Sequence, residues 1–252
     1  MLGRLAAAAA GAALAVLWDA DPAWAQAVLP SLSLEWGAAD GVEAWSTGLQ
    51  ILLLLTVLSL APSILVMMTA FTRIVVVLAF VRYALSTQQL PPTQVLIALA
   101  LFLTFFVMAP VWQQAYDEAW VPFREGEIDQ ATAVERAMEP VREFMFRHTR
   151  ERDLALFVDY AGLERPETPD DVPSYLLIPA FAISELKTAF QIGFIVFVPF
   201  VVIDMIVASA LMSMGMLMVP PMMVSLPFKV LLFVLVDGWH LVVESLLLGY
   251  GG

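Results

Sequence analysis

Six ionisable side chains, Glu185, Lys187, Asp204, Lys229, Asp237 and Glu244, stand within two stretches that are otherwise apolar. Charges in such surroundings either pair with an opposite charge or face a polar cavity, because a lone buried charge is the costly case. If the two stretches fold back at Met216 and Leu217, Asp204 lies about 12 residues before the turn and Lys229 about 12 after it, which puts them at one height. Lys187 and Glu244 come level by the same count, to within about a turn. The spacing therefore predicts a buried ion pair, Asp204 with Lys229, that holds the hairpin or joins it to a neighbouring copy; the alternative is that both groups sit independently in water or at an interface. Around the turn, Met212, Met214, Met216, Met218, Met222 and Met223 place six of the chain's 13 methionines in 12 residues, beside Gly215, Pro220 and Pro221. Methionine is unbranched, flexible and polarisable, so several such side chains can seal an irregular gap and then move aside. Glycine and two prolines predict a loop or broken helix there, and repeated around an axis such loops would form a deformable ring; ordinary packing of the methionines in a membrane core fits these residues equally well.

Catalytic chemistry has no comparable basis. The chain has no cysteine and two histidines, His148 and His240, neither with a second histidine or spaced carboxylates nearby. A Gly-rich phosphate loop, a HExxH zinc motif and a Gly-x-Ser-x-Gly elbow are all missing. The expectation is a protein that is not an enzyme, with no cofactor and no metal, drawing any energy for transport from a partner or an ion gradient.

The elements that must position these residues are membrane helices. Of 252 residues, 61% are hydrophobic and 14% charged, far from the roughly 45 to 50% and about 25% of soluble domains. Met1 to Arg4 is a short positive region, Leu5 to Trp18 an apolar run, and Ala23-Trp24-Ala25 has the small-x-small form of a signal peptidase site, so residues 1–25 read as a signal peptide and 26–47 as a short periplasmic segment. Four apolar stretches come next: Leu49 to about Leu85, interrupted by Pro62, which predicts a kink or a pair of shorter helices; Thr93 to Val111; about Ile183 to Leu211; and about Val219 to Leu248. They predict an all-α membrane protein of long kinked helical hairpins, the first over 48–112 and the second, with the methionine-rich turn, over 179–248, ending in a tail at 249–252. Arg73 and Arg82, with no acid between Ala44 and Tyr116, mark the cytoplasmic side, and Trp45, Trp112, Trp120 and Trp239 fall at outer helix ends.

Acids outnumber lysine and arginine by 24 to 12, and 15 of them lie between Asp117 and Asp171. This local acidity excludes a nucleic-acid surface and predicts an acidic periplasmic segment over 113–178. Apolar residues recur there at helical spacing from Ile128 to Val158, with Pro140 dividing the helices and Glu164 to Pro173 forming an extended linker.

Ser184-Glu185-Leu186-Lys187-Thr188-Ala189-Phe190-Gln191-Ile192-Gly193-Phe194, then Pro199-Phe200 with Ile203-Asp204, Leu211-Met212-Ser213-Met214-Gly215-Met216, and Pro221-Met222-Met223-Val224-Ser225-Leu226-Pro227-Phe228-Lys229 through Asp237-Gly238-Trp239 strongly resemble the FliP family of flagellar export-gate proteins. Phe144-Met145, Arg147 and Thr149 to Leu154, and Met68-Thr69-Ala70-Phe71-Thr72-Arg73, are similar to further segments of it, so the likeness runs from about 48 to 248. The resemblance implies a pore-forming core subunit of the flagellar type III export gate in the bacterial inner membrane and the flagellar basal body. Its implied partners are further copies of itself, FliR and FliQ type membrane subunits, the larger export apparatus and basal body ring, and unfolded flagellar proteins as cargo. It also implies that Met212, Met214, Met216 and Met218 line a pore constriction, and that partner subunits rather than lipid cover some of the apolar helices. An injectisome homologue is the near alternative; a small-solute transporter and a structural membrane scaffold are the readings from other classes.

Overall fold

A computed structural model describes residues 42–251, apart from 88, 89, 164, 165, 167 and 217. The expected signal peptide, with Ala23 and Ala25, and most of the expected N-terminal periplasmic segment lie outside the described residues. The chain divides into two compact units, Met1–Leu55 and Thr56–Gly252. The described part of the first is helical, residues 42–55, and the second holds the packed core and the polar clusters.

Every regular element among the described residues is helical. Helix α1 spans Val42–Met67, α2 Phe71–Ala84 and α3 Thr93–Ala115. A π-helical turn, Tyr116–Trp120, carries α3 directly into α4, Val121–Glu125. Then come α5 (Gln130–His148), α6 (Glu151–Tyr160), a 3-10 turn (Pro169–Asp171), α7 (Ser174–Ser213), α8 (Pro221–Leu235) and α9 (Gly238–Leu248).

Helix α2 is the centre of the packing. Ile74, Val77, Leu78 and Val81 recur at three- and four-residue spacing and are all fully buried, the pattern of one continuous apolar face. They share a core with Leu96, Ala100 and Leu103 of α3 and Leu177, Phe181 and Ala189 of α7. Gly193 of α7 allows close approach: a Cβ there would fall 2.6 Å from Phe80 Cγ on α2. Because the clash is with the root of a ring that cannot swing clear, Gly193→Ala is expected to lower stability by about 1–3 kcal/mol, the usual cost of overpacking, read as a lower midpoint of thermal unfolding in detergent.

Four boundaries differ from those expected. Helix α1 runs through Pro62, and the chain breaks instead at residues 68–70. The break is made by Thr69, whose Oγ1 donates to the Val66 carbonyl (2.9 Å) and accepts from the Phe71 N–H (3.4 Å), a side-chain substitute for helical bonds. Pro140 likewise sits inside α5 without dividing it, buried beside Val141, Phe144 and Met145; a proline removes one bond and kinks a helix, but packing on both sides keeps the axis going. The segment expected to be an extended linker contains the 3-10 turn, closed by Thr168 and Asp171 and held by Arg142, whose Nη2 donates to the Val172 carbonyl (2.8 Å) and Nη1 to Ser174 Oγ (2.5 Å).

The fourth difference concerns the apolar stretches. Two helices among the described residues are long and apolar enough to cross a bilayer, Thr93–Glu125 and Ser174–Ser213, and α8 with α9 passes the same test only as a pair bent by 61°. The bend falls at Asp237, in the left-handed region at φ 50°, and at Gly238, which is pressed against the Phe233 ring. Helix α7 has 40 residues, so at about 1.5 Å per residue it is about twice as long as the roughly 30 Å hydrocarbon core. A large part of it stands beyond any bilayer it crosses.

Candidate functional site

Three polar clusters are threaded along α7, and between them they use all three of its charged residues, Glu185, Lys187 and Asp204. At the methionine end, Lys229 of α8 is 1% exposed and its Nζ donates to Asp204 Oδ2 (2.6 Å) and to Ser86 Oγ (2.7 Å). Ser225, one turn before Lys229 on α8, donates to Asp204 Oδ1 (2.6 Å). Four groups from α7, α8 and the turn after α2 thus meet at one point, and Ser86 reaches it from a left-handed backbone conformation at φ 57°.

Ten residues beyond Asp204 the chain leaves α7. Gly215, at φ 74°, takes the left-handed conformation that closes the helix, its N–H bonding to the Met212 carbonyl (3.0 Å) and that of Met216 to the Leu211 carbonyl (3.0 Å), a common helix stop. Pro220 caps α8 and Pro221 opens it, where a missing N–H costs nothing. Met212, Met214, Met216, Met218, Met222 and Met223 are all exposed, Met218 at 96%. Among the described residues the loop is left uncovered, and it therefore presents a flexible apolar surface outward.

In the N-terminal third of α7, Glu185 is fully buried and Arg73 of α2 is 4% exposed. The guanidinium grips the carboxylate by two parallel bonds, Nε to Oε2 (3.0 Å) and Nη2 to Oε1 (2.5 Å). Its third arm, Nη1, donates to the Gly249 carbonyl (3.0 Å), Tyr250 lies under the guanidinium at 3.9 Å, and the Tyr250 hydroxyl donates to Glu185 Oε2. Bidentate geometry with the third arm also bonded is the condition under which a buried pair is tolerated. The residues expected to form a tail are therefore a working part of this cluster. Arg73, expected to mark the cytoplasmic side, is instead an internal pairing group.

One residue before Glu185, Ser184 donates to Asp153 Oδ2 of α6 (2.8 Å) and accepts from the Arg150 N–H (3.0 Å). Lys187 closes an ion pair with Asp153, and the Arg150 guanidinium donates to Gln191 Oε1 (2.7 Å) and Thr188 Oγ1 (3.1 Å). Lys187 and Glu244 are thus not partners, and neither is a buried charge: Lys187 is 48% exposed, and Glu244, exposed on α9, lies 3.9 Å from His240. Counting residues from the turn fails for them because it assumes two straight helices, whereas α8 and α9 diverge at the 61° bend.

Acid should loosen this region in two separable windows. His148 packs on the rings of Phe144 and Tyr250, and burial, with the charges of Arg73 and Arg147, pushes its imidazole from 6.5 down to about 4. Such a histidine protonates in the unfolded chain first, so stability falls as pH drops from about 6.5 toward 4. Burial raises the Asp153 carboxyl, but Lys187 and Ser184 outweigh it and hold it below its ordinary 3.8. Its contribution is present above that value and is lost as pH falls through the lower folded value. Thermal unfolding across pH should show both slopes, with His148→Phe abolishing the upper one and Asp153→Asn reducing the lower, to which Asp129, lowered by its bonds to Thr132, also contributes.

Among the described residues no group of three or more His, Asp or Glu side chains could share a metal ion. What the arrangement offers is three rigid polar fastenings on one long helix, with an uncovered methionine loop at its end. Residues 54–246 match the FliP family. The chain belongs to the FliP family. Similar proteins include the flagellar biosynthetic protein FliP of Bacillus subtilis, 60% identical over 205 residues, covering 81% of this chain and 93% of that protein. That of Pectobacterium carotovorum is 53% identical over 236 residues, covering 94% and 90% respectively. That of Caulobacter vibrioides is 48% identical over 235 residues, covering 90% and 88%. The FliP family match takes in the ion-paired residues of all three clusters and the loop, from Arg73 through Asp153, Glu185, Lys187 and Asp204 to Lys229, while Gly249 and Tyr250 of the Arg73 cluster lie just beyond it.

Proposed function

We propose that this FliP-family chain is a pore-forming core subunit of the flagellar type III export gate, passing unfolded flagellar proteins across the inner membrane. The observation that carries the reading beyond membership is the methionine loop: six exposed methionines on a turn fixed at its base by Asp204, Ser225, Lys229 and Ser86. A loop anchored at its root and uncovered at its tip is what a deformable seal needs, since methionine adapts to whatever passes. Met212, Met214, Met216 and Met218 form the constriction in this reading, contributed by several copies arranged around the cargo. FliR and FliQ type subunits complete the ring, within the larger export apparatus of the basal body. The exposed apolar faces of α3 and α7, including Phe102, Phe105, Phe190 and Phe194, are surfaces for those subunits and for lipid. The signal peptide puts the mature N-terminus in the periplasm, with residues 113–178 on that side.

Coexpression with the neighbouring membrane subunits, followed by mass measurement in mild detergent and single-channel recording, tests the proposal. Several copies in one complex with two smaller membrane proteins, and a steady ion leak once the four methionines are replaced by glycine and serine, are expected. A stable monomer or dimer without partners, or a complex whose conductance is unchanged by the replacement, would remove the gate reading.

A further inference from the structure

Arg150, Lys187 and Gln191 turn outward sides to the surface that neither the fold nor the methionine loop uses. A shallow groove of about 440 Å³ lies beside them, lined by Arg150, Ile183, Leu186, Lys187, Phe190 and Gln191. Its lining is almost wholly apolar, and Arg150, Lys187 and Gln191 are exposed beside it. Below it the apolar surface continues down α7 through Phe194, Ile195, Val198 and Val202, all exposed. From Thr188 to Ile203 α7 carries no charged residue. The groove thus sits where the charge-free part of a membrane-crossing helix begins.

Positive charge is what reaches solvent there, since Asp153 and Glu185 are buried and Arg150 and Lys187 are exposed. Asp153 answers Lys187, but Lys187 stays 48% exposed with ammonium donors to spare. Arg150 makes no ion pair among the described residues; its guanidinium is held against α7 by two neutral acceptors, Thr188 Oγ1 and Gln191 Oε1. A guanidinium fixed in place with N–H groups left over suits a phosphate oxygen, which Arg recognises through paired bonds. Cations directly above a bare apolar stripe match a ligand with an anionic head and a hydrocarbon tail. We infer that Arg150, Lys187 and Gln191 hold the phosphodiester headgroup of an anionic glycerophospholipid, with one acyl chain lying along Phe190, Phe194 and Val198. The inference rests on the membrane reading of α7 and is independent of whether the chain gates export.

Native mass spectrometry of the full chain, alone and in whatever complex it forms, provides the test. Phosphatidylglycerol, phosphatidylcholine with the same acyl chains, and inorganic phosphate are the probes. Phosphatidylglycerol adducts should survive collision energies that strip phosphatidylcholine, and inorganic phosphate should not displace them. Arg150→Gln should weaken phosphatidylglycerol binding by about fivefold, the scale of one basic residue at an anionic surface; Gln191→Glu, which adds a negative charge on the exposed edge, should weaken it at least as much. Both variants leave the Arg150 backbone bond to Ser184 in place, so the parent melting temperature checks their folding. Equal retention of the two lipids, or unchanged binding in both variants, overturns the inference. Displacement by phosphate alone would make this a free-anion site and overturns it too, as would a complex in which a second copy covers the groove and no lipid remains bound.

Discussion

Replacing Arg73 with alanine is expected to destabilise the protein by about 3–5 kcal/mol, the range for stripping one member from a buried pair. The change leaves the fully buried Glu185 carboxylate with only the Tyr250 hydroxyl, and it frees the Gly249 carbonyl as well. Arg73→Lys should recover only part of the loss, because an ammonium cannot supply two parallel bonds and a third arm at once. The double change Arg73→Met with Glu185→Leu should cost less than Arg73→Ala alone, since no unpaired charge remains inside. Thermal unfolding of the four proteins in one detergent orders them. An Arg73→Ala protein melting at the parent temperature would show that the pair carries no structural weight.

The second large effect belongs to Lys229. At 1% exposure it cannot be replaced by water when its charge is removed, and Lys229→Ala should cost about 3 kcal/mol. Asp204→Asn should cost at least as much, because it leaves the 1% exposed Lys229 ammonium without its counter-charge, whereas Lys229→Ala strands only a carboxylate that is 31% exposed. Exchanging the two charges, Asp204→Lys with Lys229→Asp, should restore part of what each single charge reversal loses, which a double-mutant cycle would express as a coupling energy. Motility in soft agar reads the functional side: the single reversals should abolish swarming and the exchange should partly restore it. Single reversals with parent stability and parent motility would show the pair to be dispensable.

What could be read from sequence here depended on whether two groups shared one local frame. Asp204 and Lys229 flank a single turn, so counting residues from Met216 sets them level. The turn itself is marked by glycine and proline, whose backbone limits hold in any setting. Arg73 and Glu185 are 112 residues apart, and no periodicity connects them. A charge account narrows the choice: Arg73 is a cation in a stretch with no acid, and Glu185 is an acid in an apolar stretch. Pro62 and Pro140 misled for one reason. Proline weakens a helix by one bond, and whether the helix then ends is decided by its neighbours; at residue 69 a threonine hydroxyl in the right place ended one instead. Counting Lys187 level with Glu244 did not find the partner that Lys187 has, Asp153, because that partner lies on another element and α8 and α9 diverge at the bend.

The Arg73 cluster also has a time order. Arg73 leaves the ribosome 112 residues before Glu185 and 176 before Gly249. At roughly 5–20 residues per second, translation separates the guanidinium from its carboxylate by on the order of ten seconds. Throughout that interval helix α2 exists without the carboxylate that Arg73 grips in the finished fold. Closure of the pair is therefore a late event that waits on the synthesis of α7.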